Sequence, residues 1–204
     1  MSDLAGPAEK SPFDKITLRT QLLTARRSRS AADRAVAATQ LHDHILALVR
    51  RATPRTIAAY VPSGPEPGGP TLPDLLRAAL PPGGRLLLPV LLPDNDLDWA
   101  EYTGSLTPAS RGLHEPTGPR LGVTALTSAD LILVPALAVG RDGIRMGRGG
   151  GSYDRALSRL PSPGPLVVAL LHDGEILDRV PSEPHDRPVH GVLTPSAGFI
   201  ACPA

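Results

Sequence analysis

The stretch LILVPALAVGRDGIRMGRGGGSYDRAL, Leu131 to Leu157, decides how this chain folds. Its first four residues, Leu131 to Val134, are continuously apolar, the pattern of a parallel strand buried on both faces. A loop follows that carries Gly143, Gly147, Gly149, Gly150 and Gly151, with Arg141, Arg145 and Arg148 threaded between them. Ser152 reads as an N-cap, and a short helix is expected from Tyr153. Clustered glycines leave backbone N–H groups without side-chain cover and allow them to converge on one point. A helix N-terminus adds partial positive charge, and guanidinium forks suit phosphate or carboxylate. Strand, glycine loop and helix together describe a polyphosphate cradle. A glycine-rich linker is the alternative, but linkers rarely interleave arginines and end in Tyr-Asp-Arg at a helix start.

Two common phosphate motifs do not fit. A Walker loop needs Lys-Ser/Thr after its last glycine, and here Gly151 is followed by Ser-Tyr-Asp. The dinucleotide fingerprint begins at Gly147 and Gly149 but meets Ser152 where its last glycine belongs, with no acidic residue at the right distance.

Outward from this stretch, apolar runs alternate with helical patterns. Asp14 to about Arg27 predicts a helix whose Lys15, Arg19 and Arg26 share one face, beside an apolar stripe of Leu18, Leu22 and Ala25. Ser30 and Asp33 start a second helix with Leu41, Ile45, Leu48 and Val49 on its buried side and Pro54 after its end. Strands are expected over Thr56–Tyr60, Arg85–Pro89, Asp98–Tyr102, Leu131–Val134, Leu166–Leu170 and Val189–Leu193, with a helix over Leu72–Leu80. The pattern is that of an α/β protein: a single three-layer domain over residues 13–204, with a mainly parallel doubly wound sheet flanked by helices. A flexible tail is expected over 1–12. In such sheets ligands bind beyond the carboxyl ends of the strands, which places Glu66 and residues 145–154 at one rim. Asp186 precedes the last strand and is not brought there by the pattern.

Composition narrows the function. The 204 residues carry a net charge of +1 and 3% aromatics, with no basic stripe, so a nucleic-acid surface is not expected. Of 21 basic residues, two are lysines, Lys10 and Lys15, so the arginine count alone says little about phosphate. A lone Cys202 fits a reducing compartment, and no apolar run of about 18 residues or secretory h-region is present. The expectation is a cytoplasmic protein without membrane partners, monomeric or a weak homodimer.

The glycine stretch resembles the 5-formyltetrahydrofolate cyclo-ligases, also called methenyltetrahydrofolate synthetases. The resemblance lies in Pro135-Ala-Leu-Ala138 and Gly143-Ile-Arg-Met-Gly-Arg-Gly-Gly-Gly-Ser-Tyr-Asp-Arg155. It extends to Lys15-Ile-Thr-Leu-Arg19, Tyr60-Val-Pro-Ser-Gly-Pro-Glu66, Gly112-Leu-His-Glu-Pro116, Pro184-His-Asp186 and Gly191-Val-Leu-Thr194, in family order. It implies Mg-ATP-dependent closure of 5-formyltetrahydrofolate to 5,10-methenyltetrahydrofolate. In that chemistry the formyl oxygen takes the γ-phosphoryl group and N10 attacks the activated carbon. Phosphoryl transfer asks mainly for positioning and charge neutralisation.

The resemblance also implies roles. Arg145 and Arg148 are the catalytic arginines, clamping phosphates. Lys15, Arg19, Met146, Gly147, Gly149, Gly150, Gly151, Ser152 and Tyr153 join them around the nucleotide. Arg19, Val61, Glu66, Arg148 and Ser152 meet the folate, Glu66 at the N–H edge of the pterin. Asp154 and Asp186 hold Mg²⁺. From the residues alone, each has a plainer reading: a solvated helix face for Lys15 and Arg19, loop arginines, a core valine, a solvated acid at Glu66, a helix-dipole partner at Asp154 and an ordinary loop aspartate at Asp186. The chain departs from the family pattern at three places. Ser152 replaces the first tyrosine of Tyr-Tyr-Asp, Gly140 stands where an aspartate is common with Asp142 close by, and Gly150 stands where some members carry lysine. Glu115 belongs to the pattern without an assignable role. Trp99 reads as core or edge packing, with folate stacking as the alternative. Two alternatives to the enzyme remain: a folate- or nucleotide-binding paralogue without turnover, and an ATP-dependent enzyme acting on another formylated or carboxylated small molecule.

Overall fold

The computed structural model describes residues 12–183 and 186–203. Most of the tail expected over 1–12, and His185, lie outside them; Pro12 starts the first helix. That helix, α1 (Pro12–Ser28), is followed by α2 (Ala31–Ala52). Ser30 caps α2 by accepting the Asp33 N–H at 3.0 Å. At the other end Thr53 turns left-handed (φ 44°), returns its N–H to the Val49 carbonyl, and hands the chain to Pro54.

The remaining elements are β1 (Thr56–Ala58), α3 (Leu72–Ala79), β2 (Arg85–Leu91), β3 (Leu97–Glu101), β4 (Leu106–Pro108), β5 (His114–Pro116), β6 (Leu131–Pro135), β7 (Ala138–Gly140), β8 (Arg145–Met146), α4 (Ser152–Leu157), β9 (Leu166–Leu170), β10 (Ile176–Leu177), β11 (Gly191–Thr194) and β12 (Gly198–Ala201). Seven strands form the central sheet in the order β12-β11-β9-β6-β1-β2-β3. The inner five run parallel, and the edge strands β3 and β12 run antiparallel to their neighbours.

Side-chain alternation splits this sheet between two cores. Leu131, Leu133, Val168 and Leu170 point to one face and pack with Leu41, Ile45, Leu48 and Val49 of α2 and with Leu72 and Leu76 of α3. Ile132, Val134, Val167 and Ala169 point to the other and pack with Ala156 and Leu157 of α4, Leu126 and Trp99. Trp99 is fully buried in that second core, so it is a packing residue rather than a ligand platform. The three-layer, mainly parallel sheet is the one expected from the sequence.

Two parts differ from that expectation. The segment between β6 and α4, read from sequence as loop, folds back as part of a small sheet β10-β7-β8, against which Leu18, Leu22 and Leu23 of α1 pack. The chain also adds the hairpin β4-β5 and the edge strand β12. Very short strands carry too few residues for an alternating pattern to show.

The direction of chain progression reverses around β1, which has β2 on one side and β6 on the other. The carboxyl ends of β1 and β6 therefore splay at a topological switch point, where open α/β sheets form their ligand crevice.

Candidate active site

A cavity of about 520 Å³ opens at this switch point. Tyr60 and Val61 leave β1 into it, Pro89 and Leu91 come from β2, and Pro135 to Leu137 come from the end of β6. Helix α1 lays Lys15, Arg19 and Arg26 along one side. The glycine loop and first turn of α4 form another, from Arg145 to Asp154. The sheet thus brings Lys15, Arg19, Val61, Glu66, Arg145, Gly147, Arg148, Gly149, Gly150, Gly151, Ser152, Tyr153, Asp154 and Asp186 to one cavity.

Met146 stands apart from this group. Its side chain is fully buried among Leu137, Ala138 and Val180, and its carbonyl accepts the Leu137 N–H at 2.7 Å. It anchors the root of the loop rather than facing the cavity. Ser152 also differs from the expected N-cap. Gly151 takes that position in a left-handed conformation (φ 67°) without a side-chain cap, and Ser152 is the first helical residue. A Cβ at residue 151 would approach the Arg155 guanidinium at 3.2 Å, so the capping position is crowded as well as left-handed.

The cations and carboxylates interlock. Arg145 is 4% exposed and donates to Asp154 Oδ1 at 2.7 Å. Burial pulls the Arg145 pKa below the usual guanidinium range, and the Asp154 carboxylate is the strongest force resisting that. Arg145 Nε has no partner among the described residues. Lys15 Nζ lies 3.1 Å from Asp186 Oδ2 and 3.5 Å from Glu183 Oε1. Arg19 Nε donates to the Gly147 carbonyl at 3.1 Å. A Cβ on Gly149 (φ 101°) would stand 3.3 Å from the Arg19 guanidinium carbon, so α1 and the glycine loop meet closely here.

Across the cavity, Glu66 Oε2 accepts the Ser63 N–H at 2.8 Å while Oε1 lies 3.5 Å from Arg148 Nε. Glu66 is recessed and Arg148 is half exposed, so Arg148 spans from the carboxylate wall to the glycine loop. Tyr153 sits between the two sides. Burial, and then the nearby Glu66, push its phenol well above 10.0, which keeps it a neutral donor.

Asp154 and Asp186 offer two hard oxygen donors on the cavity wall, and the described residues contain no cluster of three or more metal-ligating side chains. That donor set fits a magnesium ion, which takes one or two carboxylates and completes its shell with phosphates and water.

Sequence reasoning did not assign several lining residues. Arg26 is fully buried and paired with Glu175 across 149 positions, a partnership that no local spacing reveals. Glu115, unassigned above, lines the cavity and accepts the Leu91 N–H at 2.9 Å, tying β5 to β2. Arg111 and Leu113 enter from the β4–β5 connection.

Comparison with known proteins identifies relatives of this chain. The family model described as the 5-formyltetrahydrofolate cyclo-ligase family matches residues 12–195. The 5-formyltetrahydrofolate cyclo-ligase of Mycolicibacterium smegmatis is 44% identical over 197 residues, covering 94% of this chain and 98% of the relative. The NMR structure of the Aquifex aeolicus 5,10-methenyltetrahydrofolate synthetase shares the fold with a TM-score of 0.76 at 24% identity, over 93% of each chain. The Mycoplasma pneumoniae 5,10-methenyltetrahydrofolate synthetase does so at 0.69 and 20% identity, over 88% of this chain and 97% of that one. With the family model spanning nearly the whole fold and a relative aligned end to end, this chain belongs to the 5-formyltetrahydrofolate cyclo-ligase family.

Proposed function

We propose that the protein converts 5-formyltetrahydrofolate and ATP into 5,10-methenyltetrahydrofolate, ADP and phosphate. The observation that carries this reading is the two-sided cavity. Guanidinium groups, a lysine and a glycine-rich backbone line one side, while a recessed Glu66 with Val61, Pro89, Leu91 and Leu97 lines the other. A polyanion suits the first side and a flat heterocycle with a paired N–H edge suits the second.

The chemistry follows from that division. The formyl oxygen attacks the γ-phosphorus and ADP departs, which turns a poor leaving group into phosphate. N10 then attacks the formyl carbon, the C–O bond breaks, phosphate leaves, and the N10 proton is lost to solvent. Arg145 and Arg148 neutralise the transferred group, with Lys15, Arg19 and the N–H groups of Gly147 to Gly151 around the phosphates. Glu66 accepts hydrogen bonds from the pterin edge and fixes its register. Val61 packs on the ring, and Ser152 and Tyr153 sit where the two substrates meet. Asp154 and Asp186 would hold Mg²⁺, which supplies charge neutralisation between phosphate oxygens. Arg148 touches both territories and therefore couples folate occupancy to phosphate binding.

Support for a non-membrane protein is that no helix of the described residues is long and apolar enough to cross a bilayer. The large exposed apolar residues Ile16, Val36, Leu121 and Ile200 belong to separate segments of the chain, and the state proposed is a cytoplasmic monomer or weak homodimer. Sedimentation at micromolar concentration tests the oligomeric state.

The deciding experiment mixes purified protein with 5-formyltetrahydrofolate and Mg-ATP and follows methenyl absorbance against a control lacking ATP. Growth that requires ATP is the expected result. A flat trace from folded protein that binds ATP would replace this reading with that of a nucleotide-binding paralogue.

A further inference from the structure

Glu66 sits in a loop, Val61 to Gly69, with three prolines and three glycines, in which its carboxylate accepts the Ser63 N–H at 2.8 Å. That bond ties the carboxylate to its own loop and leaves the position of the loop against the sheet to other contacts. The structure shows an outside brace. The carbonyls of the two residues flanking Glu66 are both taken by side chains that lie just beyond the ends of β1 and β9. Tyr60 donates its hydroxyl to the Pro67 carbonyl at 2.6 Å. His172 Nε2 lies 3.0 Å from the Pro65 carbonyl. Because a carbonyl only accepts, Nε2 carries the proton, and burial lowers the ring's pKa and so favours the neutral tautomer with Nδ1 bare. Nδ1 is indeed buried without a partner among the described residues.

The brace is itself anchored. The His172 backbone N–H donates to Glu175 Oε2 at 2.7 Å. Glu175 is held by a two-pronged pair with Arg26, whose Nε and Nη2 each lie 2.7 Å from its oxygens. The same Nη2 donates to the Ala136 carbonyl, on the cavity floor. Arg26, Glu175, His172 and Tyr60 are all buried. One buried network thus reaches from α1 and the end of β6, through His172, to the Pro65 carbonyl, while Tyr60 separately holds the Pro67 carbonyl on the other side of Glu66.

We propose that Tyr60 and His172 are positioning residues which hold Glu66 at the pterin edge and so set folate affinity without touching the nucleotide. This rests on the cyclo-ligase reading above. The mechanism is preorganisation: with both flanking carbonyls fixed, Glu66 meets its substrate without first ordering the loop.

The test uses Tyr60→Phe, His172→Leu and His172→Gln, with thermal melting to confirm folding. Gln carries an Nε2 donor that can replace the histidine N–H, whereas Leu cannot. Tyr60→Phe and His172→Leu each raise KM for 5-formyltetrahydrofolate about tenfold, with kcat and KM for ATP within twofold. His172→Gln restores most of the affinity. In a Glu66→Gln background the Tyr60→Phe effect shrinks to less than twofold, because the group being positioned no longer carries a carboxylate. Calorimetric binding of 5-formyltetrahydrofolate gives the same ordering without turnover. Unchanged folate affinity in both deletions, equal loss for both substrates, or an undiminished effect in the Glu66→Gln background overturns the positioning role while leaving the cyclo-ligase reading intact. Failure of the wild-type chain to bind folate overturns both.

Discussion

At the scale of single residues, the ion pair between Arg145 and Asp154 dictates how the metal assignment must be tested. Removing Asp154 outright leaves Arg145 buried at 4% exposure without its carboxylate. An uncompensated buried charge costs about 3 kcal/mol, so Asp154→Ala is expected to lower Tm by roughly 10 °C as well as abolish turnover. Asp154→Asn keeps an oxygen for the guanidinium and weakens the hard donor. We expect it to retain most of the melting temperature and to lose at least about 100-fold in kcat, checked by paired melting and rate measurements. Ser152 faces the cavity in place of the family's tyrosine, and Ser152→Tyr is expected to lower KM for the folate severalfold by restoring a flat wall. The glycine at 140 has a structural counterpart. A Cβ there would stand 2.5 Å from Asp142 Oδ1, so the Asp142 carboxylate fills the space that a residue-140 side chain would need, and it accepts the Ile144 N–H at 3.2 Å.

At the scale of elements, the glycine loop is held at its root and at its crest. At the root, Gly143 adopts φ 79°, and a Cβ would meet the Val189 carbonyl at 2.8 Å and Cys202 Cβ at 3.2 Å. Gly143→Ala is therefore expected to cost about 2 kcal/mol and to lower Tm by roughly 4–8 °C. At the crest, Arg155 donates to the Gly150 carbonyl at 3.0 Å and to the Asn95 carbonyl at 2.7 Å. It ties the loop to the turn between β2 and β3, while Arg159 pairs with Asp96 in the same turn. Arg155→Ala should raise KM for ATP about fivefold, leave KM for the folate unchanged, and cost no more than about 1 kcal/mol of stability. Initial-rate kinetics with each substrate varied in turn will show that split.

At the scale of the whole molecule, buried titratable groups set the response to acid. Burial lowers the His172 pKa from its ordinary 6.5. Below pH 6.5 the unfolded chain takes up a proton that the folded protein resists, so stability falls as pH drops from that point toward the lowered folded value. Hydrogen bonds from Arg159 lower the Asp96 pKa below its ordinary 3.8. Its contribution is full above pH 3.8 and is lost as pH falls through the folded value. Tm should therefore hold level just above pH 6.5 and decline below it. His172→Gln should remove the upper part of the decline. An unchanged pH profile in that variant would take His172 out of the acid response.

The same whole-molecule view separates local information from global information. Long periodic elements were legible: the buried face of α2, the Ser30 cap, and the continuous apolar runs of β6 and β9, because periodicity and capping are properties of neighbouring residues. The glycine loop was legible for the same reason, and its resemblance to a family is the source of the proposed phosphate, folate and metal roles. The β7–β8 hairpin and edge strand β12 were not legible, since strands of two to four residues are stabilised by partners distant in sequence. Sequence by itself determined the α/β class, the parallel core and the family to which the glycine loop points. Tertiary structure alone decided that Asp186 joins Lys15, that Arg26 is buried against Glu175, and that Tyr60 and His172 brace Glu66. Each of the Asp186, Arg26 and His172 contacts joins residues more than 100 positions apart, and which side chains meet there is settled by sheet order and packing rather than by local pattern.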